Sequence, residues 1–311
     1  MTSISSINAD LHCHSVVSDG TLTPEELAQR AHANGVRLWA LTDHDELGGQ
    51  DRARAAAKAI GMEYLTGVEI SVTWMGQTIH IVGLGIDAAH MGIVEGLRLT
   101  RDGRGNRAKL MAEQLLKAGI PGAYEGALHF AGNHDLISRT HFARFLVEQG
   151  VCKDTEHVFK NYLVEDKPGY VPHLWATLDN AVAWIKDAGG VAVIAHPGRY
   201  KLNAMQMDEL YKHFKDIGGL GIEVITGSHS PNQYQTYGKI AQQYGFMASR
   251  GSDFHDPQES YIDLGTLPLL PDHLTPVWSA FQWFMNHFQL QIKNKDKDVC
   301  WTRSLWHATY G

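Results

Sequence analysis

Asp10-Leu11-His12-Cys13-His14-Ser15-Val16-Val17-Ser18-Asp19-Gly20 is the stretch on which the reading of this 311-residue chain turns. Ile7 to Leu11 read as a short strand, and Ser18-Asp19-Gly20 as a turn. Side chains alternate faces along a strand, so His12 and His14 point to one side and Cys13 to the other. Two imidazoles on one face, with Asp19 on the following turn, can bring three metal-binding groups to one place. The remaining ligands have to come from elsewhere in the chain.

Moving outward, a helix is predicted over Pro24 to Asn34, capped by Thr23, with Pro24 at its first position and Gly35 after its end. Val36 to Leu41 reads as a strand ending in Thr42-Asp43-His44-Asp45. Leu47 to Ile60 is alanine-rich and helical. Met62 to Gly67 is a strand running into Val68-Glu69-Ile70-Ser71, and Gln77 to Ile86 is another, holding His80. This alternation argues for a parallel sheet or barrel. His12, His14, His44 and Glu69 fall where successive strands finish, the rim on which such barrels place their chemistry.

The pattern changes between about residues 90 and 175, which read as mainly helical. Gly92 to Ala118 is one long helix, interrupted or loosened around Asp102-Gly103-Arg104-Gly105. Ala123 to Phe130, Thr140 to Gln149 and Thr155 to Leu163 are shorter ones. The block reads as an inserted helical domain, or equally as a long decoration of one barrel loop. Alternation then resumes. Helices are expected over Leu178 to Ala188, Met205 to Ile217, Pro231 to Tyr244 and His273 to His287. Strands are expected over Val191 to Ala195, Gly221 to Ile225 and Phe246 to Ser249. The expected organisation is a barrel from 1–98 and 176–290, a helical insertion over 99–175 and a tail over 291–311. Trp175, Trp184, Trp278 and Trp283 are expected in the core. Asp43 and Asp45 are expected to orient an imidazole.

Composition bounds the partners. The hydrophobic share of 44% and charged share of 20% are those of an ordinary globular protein. No apolar run is long enough to span a bilayer, so no membrane partner is expected. Met1-Thr2-Ser3-Ile4-Ser5-Ser6 does not read as a signal peptide. Cys13, Cys152 and Cys300 lack the spacing of a disulfide framework or thiolate zinc site, which suits the cytoplasm. A net charge of -7 argues against tracking long double-stranded nucleic acid. It leaves room for a small anion, since bound divalent ions reverse the local sign. The oligomeric state is left open.

Polar groups at strand ends are His12, His14, Asp19, His44, Glu69, His80, His196, Asp253 and His255. Such a mixed nitrogen and oxygen set suits Mn, Fe or Zn rather than Ca. It is too large for one ion and fits two or three sharing a bridging carboxylate.

The ordered motifs Asp-Leu-His-Cys-His, Thr-Asp-His-Asp, Gly-Val-Glu, Ala-His-Pro and Gly-Ser-Asp-Phe-His resemble the PHP (polymerase and histidinol phosphatase) superfamily. The resemblance covers about two-thirds of the chain. It implies an α/β fold, a distorted (β/α)7 barrel, with two or three divalent ions, Mn first and Fe or Zn as alternatives. It places His12, His14, Glu69 and Asp253 on a first ion, Glu69, His80 and His196 on a second, and Asp19, His44 and His255 on a third. His12, His14, Glu69, Asp253 and His255 form the implied catalytic set.

The stretch Ile137-Ser138-Arg139-Thr140-His141-Phe142-Ala143, with Lys167-Pro168-Gly169-Tyr170-Val171 downstream, resembles the subgroup that hydrolyses 3',5'-nucleoside bisphosphates. Relatives within that subgroup act as 5'-to-3' exoribonucleases on short RNA. The implied chemistry is release of the 3'-phosphate by a water activated between the ions. Arg139 and His141 are the first choices to hold the second phosphate, with Arg104, Arg107, Lys167 and Arg199 behind them. Tyr170 is the candidate for stacking on a base. The alternatives are an exoribonuclease on RNA 5' ends and a non-catalytic metal-stabilised module. A phosphatase of histidine biosynthesis is disfavoured by the Ser-Arg-Thr-His-Phe-Ala motif.

Overall fold

The computed structural model describes residues 4–282 and 286. Its strands are β1 (Ala9–Asp10), β2 (Leu38–Leu41), β3 (Glu63–Trp74), β4 (Gln77–Leu84), β5 (Val191–Ile194), β6 (Gly221–Thr226) and β7 (Met247–Gly251). They form one seven-stranded sheet in chain order. The sheet curls until its ends meet. The Leu11 N–H donates to the Arg250 carbonyl at 3.0 Å, and the Asp253 N–H to the His12 carbonyl at 2.8 Å. The result is a nearly closed α/β barrel.

Two buried charges secure that seam. The Arg250 guanidinium donates to the carbonyls of Ala9, Leu267 and Pro268. The Asp10 carboxylate accepts from the backbone N–H groups of Ser252 at 2.9 Å and Gly265 at 2.7 Å. Gly251 permits the close approach, since a Cβ there would lie 2.3 Å from the Cβ of His12.

Strands such as Leu38–Leu41 and Val191–Ile194 are buried at every position, which is why they read as unbroken apolar runs. α1 (Pro24–Ala33) and α2 (Gln50–Ala59) pack alanines and Leu27 against Trp39 and Leu41. α7 (Leu178–Asp187), α8 (Ala204–Asp216) and α9 (Pro231–Tyr244) cover the rest of the main core.

Strand direction departs from expectation. β4 runs antiparallel to both β3 and β5, while the other neighbours are parallel. The cause is a tight turn. Met75 (φ 47°) and Gly76 (φ 77°) both adopt positive φ, so β3 folds straight back as a hairpin and needs no crossover helix.

α3 (Met91–Lys117) is also unlike the expectation, because it runs unbroken through Gly103 and Gly105. Its glycines serve close packing. A Cβ on Gly96 would stand 2.4 Å from the Trp184 ring, and one on Gly103 would stand 2.3 Å from His173. The first half of α3 buries Ile93 and Leu97 in the barrel core. Its second half joins a separate apolar cluster, where Ala108, Met111 and Leu115 meet Phe142, Phe145 and Leu146. That cluster also holds α4 (Ala123–Phe130), α5 (Arg139–Glu148) and α6 (Thr155–Val158), which continues as a π-turn over Phe159–Leu163.

The closing helix expected over 273–287 lies only partly in the described residues, where its first part is a turn followed by a 3-10 segment, Val277–Ala280, and Gln282 and Asn286 are helical. Pro276 ends the turn in a bridge to Ala248, which commits that stretch to the sheet. Trp278 is buried, Trp283 and the tail lie outside the described residues, and Trp175 is only half-buried. No helix among the described residues is long and apolar enough to cross a membrane.

Candidate metal centre

Glu69 is fully buried and stands at the middle of a largely buried cluster at one end of the barrel. Its Oε1 lies 2.8 Å from His80 Nδ1, 2.9 Å from His196 Nε2 and 3.3 Å from His12 Nε2. Its Oε2 lies 2.9 Å from His44 Nδ1 and 3.3 Å from His14 Nε2. The hairpin explains the approach of His80. It faces Ser71 across β3 and β4, two residues from Glu69 on the same side of the strand.

Asp253 Oδ1 joins the group at 3.3 Å from His14 Nε2 and 3.5 Å from His12 Nε2. Asp19 Oδ1 lies 3.4 Å from His255 Nε2 and 4.0 Å from His44 Nε2. Four sets of donor atoms each gather within 4.8 Å: His12, His14 and Asp253; His12, Glu69 and His196; His44, Glu69 and His80; and His14, Asp19, His44 and His255. All nine candidate ligands named from the sequence are therefore brought together.

Charge balance in the cluster is tight. Burial alone would raise the Glu69 carboxyl, but His80, His12 and His44 hold it well below the usual range. Burial likewise opposes ionisation of Asp253 and Asp19, yet His12 and His14 pull the first down, and His44 and His255 the second. Burial would lower His12, and Glu223, Glu69 and Asp253 outweigh it. Burial lowers His80 and His255 to about 4 and also lowers His196, which leaves neutral imidazole nitrogens beside ionised carboxylates, the state in which both ligate a cation. His12 Nε2, His14 Nε2, Asp19 Oδ1 and Glu69 Oε2 are buried without a hydrogen-bond partner. Unpartnered atoms facing one another, mixed between nitrogen and oxygen, fit divalent ions of the Mn, Fe or Zn type.

Glu223 is a residue that the motifs missed. His12 Nδ1 meets its Oε1 at 2.7 Å, and the His196 N–H donates to its Oε2 at 2.6 Å. It fixes the His12 ring so that Nε2 faces the cluster. The available signal was a lone carboxylate inside the apolar strand Gly-Ile-Glu-Val-Ile-Thr.

Asp43 and Asp45 do not orient imidazoles. Asp43 accepts from the Ser15 N–H and from the Ser15 and Ser18 hydroxyls, each at 2.7 Å. It braces the loop that carries His14. Asp45 accepts from the Ser71 N–H at 2.8 Å and from the Arg104 guanidinium. Three residues around the cluster hold positive φ: Asp45 at 51°, His196 at 25° and Asp253 at 56°. Strain of this kind persists where surrounding contacts over-determine the backbone.

A cleft opens beside the cluster. Arg104, Arg107, Arg139 and Arg199 line it, together with Phe159 and Trp175. Trp175 lies at the mouth rather than in the core. Its ring is covered by the guanidinium groups of Arg104 at 4.7 Å and Arg107 at 5.4 Å. Arg199 pairs with Asp253 at 2.7 Å. Among the described residues, neither Arg107 nor Arg139 has a carboxylate partner. Burial, together with the neighbouring Arg139 and Arg104, lowers the Arg107 pKa to about 9, and burial with Arg199 lowers Arg139. Cations that destabilise one another in a sheltered cleft mark a place for an anion.

His141 and Lys167 do not line this cleft. His141 is buried, and its Nδ1 accepts the Ser138 N–H at 3.1 Å in the capping box that starts α5. Burial brings its pKa down to about 4. Lys167 is exposed, and Tyr170 is half-buried outside the lining. The start of α5 reaches the cluster another way. The Thr140 hydroxyl donates to Asp19 Oδ2 at 3.0 Å, and the Ser138 hydroxyl to the same oxygen at 3.3 Å.

A family model described as PHP domain matches residues 10–170. A 3',5'-nucleoside bisphosphate phosphatase of Chromobacterium violaceum is 49% identical over 275 residues, 88% of this chain and 96% of that one. A 5'-3' exoribonuclease, Rnm, of Escherichia coli is 43% identical over 285 residues, 91% of this chain and 97% of its own. A solved structure of an amidohydrolase from Chromobacterium violaceum, with bound sulfate and no metal, superposes with a TM-score of 0.85. It is 48% identical and covers 88% of this chain and 96% of its own.

Proposed function

The chain belongs to the PHP domain family, and on that premise we propose that it hydrolyses the 3'-phosphate of 3',5'-nucleoside bisphosphates. Adenosine 3',5'-bisphosphate is the representative substrate, and the products are a nucleoside 5'-monophosphate and phosphate. The enzyme is a metal-dependent phosphoester hydrolase. The observation that carries the substrate is the arginine-lined cleft beside a carboxylate and imidazole cluster. Such a site has two ends suited to two phosphates on one small molecule.

In this proposal His12, His14, Asp19, His44, Glu69, His80, His196, Asp253 and His255 hold two or three divalent ions, Mn first. Bound there, the ions supply neutralisation of the phosphoryl oxygens and a water of lowered pKa. The chain supplies the rest. Arg139 and Arg107 take the 5'-phosphate, since their planar forks give paired charge-assisted hydrogen bonds. Arg104, tied to Asp45, presents a fixed charge behind them. His141 holds the first turn of α5, and so sets where Arg139 and Thr140 stand.

The helical segment 99–175 acts here as a capping unit on the barrel. In support, Arg104, Arg107 and Arg139 all come from it, whereas all nine candidate ligands come from 1–98 and 176–290. The partner is a small nucleotide or short RNA. A cytoplasmic setting belongs to the same proposal, supported by the free cysteines Cys13 and Cys152.

The test compares phosphate release from adenosine 3',5'-bisphosphate and adenosine 3'-monophosphate with Mn present. A strong preference for the bisphosphate is expected. Equal rates would leave the arginine cleft without its assigned phosphate. Exonuclease action on RNA 5' ends is the second reading, favoured by the 43% identity to the Escherichia coli exoribonuclease.

A further inference from the structure

A second pocket adjoins the arginine-lined cleft. Thr140, Phe159, Arg199, Asp253 and His255 line both, so the two are continuous past one edge of the ligand cluster. Their chemistry differs. The cleft holds Arg104, Arg107 and Arg139, whereas among the described residues Arg199, at the junction, is the lone arginine or lysine lining the second pocket. Glu259 there is already paired with Arg144 at 3.0 Å. Asp253 and His255 belong to the ligand cluster at the junction, where Asp253 pairs with Arg199 at 2.7 Å. Away from the junction the lining is hydroxyls such as Ser228 and Thr155, and the apolar faces of Phe159, Ile262 and Tyr261. Tyr261 is 89% exposed, an unusual setting for a large aromatic ring, and its hydroxyl donates to Glu156 Oε2 at 3.0 Å.

We propose that this second pocket is the subsite for the downstream nucleotide of a short 5'-phosphorylated RNA, with its base against Tyr261. The inference rests on the function proposed above and extends it. The asymmetry sets the polarity of the chain. A terminal 5'-phosphate carries the most charge and takes the arginine end. The reacting phosphoryl group lies at the ligand cluster. The nucleoside esterified to its other side, neutral in sugar and base, continues past Arg199 into the hydroxyl-rich and aromatic pocket.

In the reaction, a water oxygen forms a bond to phosphorus, and the bond from phosphorus to the 3'-oxygen of the first nucleotide breaks. One water proton ends on that 3'-oxygen. The products are a nucleoside 5'-monophosphate and an RNA one nucleotide shorter that carries a 5'-phosphate. A 3',5'-bisphosphate undergoes the same bond exchange with the second pocket empty. Aromatic stacking tolerates any base, so no sequence preference is expected there.

The test uses the full chain with Mn and two substrates, adenosine 3',5'-bisphosphate and the 5'-phosphorylated dinucleotide pApA. Tyr261→Ala removes the stacking surface at an exposed position, and Ser228→Trp fills the pocket from an exposed loop. Losing one stacked base should raise KM for pApA about five- to tenfold in the first variant. The second should lose pApA cleavage by a larger factor. Bisphosphate hydrolysis, which does not reach this pocket, should stay near the parent rate in both. If pApA cleavage is unchanged in both variants, or falls in parallel with bisphosphate hydrolysis, the subsite is wrong. If the parent protein hydrolyses neither substrate, the proposed function fails and the subsite with it.

Discussion

Glu223 and His12 are joined by a 2.7 Å contact between Oε1 and Nδ1, deep beneath the ligand cluster and wholly out of solvent. The carboxylate therefore decides which nitrogen of His12 faces the other ligands. The same Glu223 holds the backbone N–H of His196, whose φ of 25° is strained. One buried side chain thus supports two candidate ligands that follow different strands, β1 and β5.

Replacing Glu223 with Gln keeps the volume and one acceptor but removes the charge. Metal affinity should fall about 10- to 100-fold, the usual effect of losing a carboxylate behind a ligating imidazole. The readout is the Mn concentration needed for half-maximal activity. Activity recovered at saturating metal is expected, and an unchanged requirement would show that Glu223 does not govern His12.

Arg139→Ala should affect the second phosphate alone. A hydrogen bond to a charged group contributes about 1.5–3 kcal/mol, so kcat/KM for a 3',5'-bisphosphate should drop roughly ten- to a hundredfold. The rate on a nucleoside 3'-monophosphate should change little. Equal losses on both substrates would move Arg139 from the 5'-phosphate to the reacting group.

Asp45→Asn tests the tie between the barrel and the helical segment. Asp45 is fully buried and Arg104 nearly so, and they are directly paired. Removing one partner of a buried pair costs about 3–5 kcal/mol, because the other charge is left uncompensated. Asn tolerates the positive φ at this position, so the backbone is not the source of the effect. Urea denaturation should show the loss, and an unchanged midpoint would mean that water replaces the carboxylate at no cost.

Chelation should abolish activity, and Mn should restore it. Each ion bound at a hundredfold excess over its Kd adds about 2.7 kcal/mol to the folded state. Thermal unfolding should therefore shift upward by several degrees on adding Mn. Full activity after exhaustive chelation would rule out the metal-dependent mechanism.

Nine candidate ligands were readable because metal chemistry demands a few side-chain types; most of them follow a strand end as expected, but Glu69 and His80 lie inside β3 and β4 instead, brought to the rim by the hairpin. Their neighbours were less readable. Asp43 and Asp45 stand next to His44 in sequence, yet they turn away from it toward Ser15 and Arg104. The glycines of α3 looked like breaks, but their function is to admit Trp184 and His173. Propensity cannot separate these cases, since the packed partner lies far along the chain.

The sequence by itself determined the α/β alternation, the ligand types and the helical segment that follows β4. Those follow from local periodicity and residue chemistry. Tertiary structure decided that β4 runs antiparallel, that Glu223 stands behind His12, and that, among the described residues, Arg107 and Arg139 have no carboxylate partner while Arg104 has one. Each of these depends on distances between segments dozens to hundreds of residues apart, and only the closed barrel sets those distances. The stretch from Asp10 to Gly20 announces a metal site, and the packing around it determines which nitrogen and oxygen atoms face one another there.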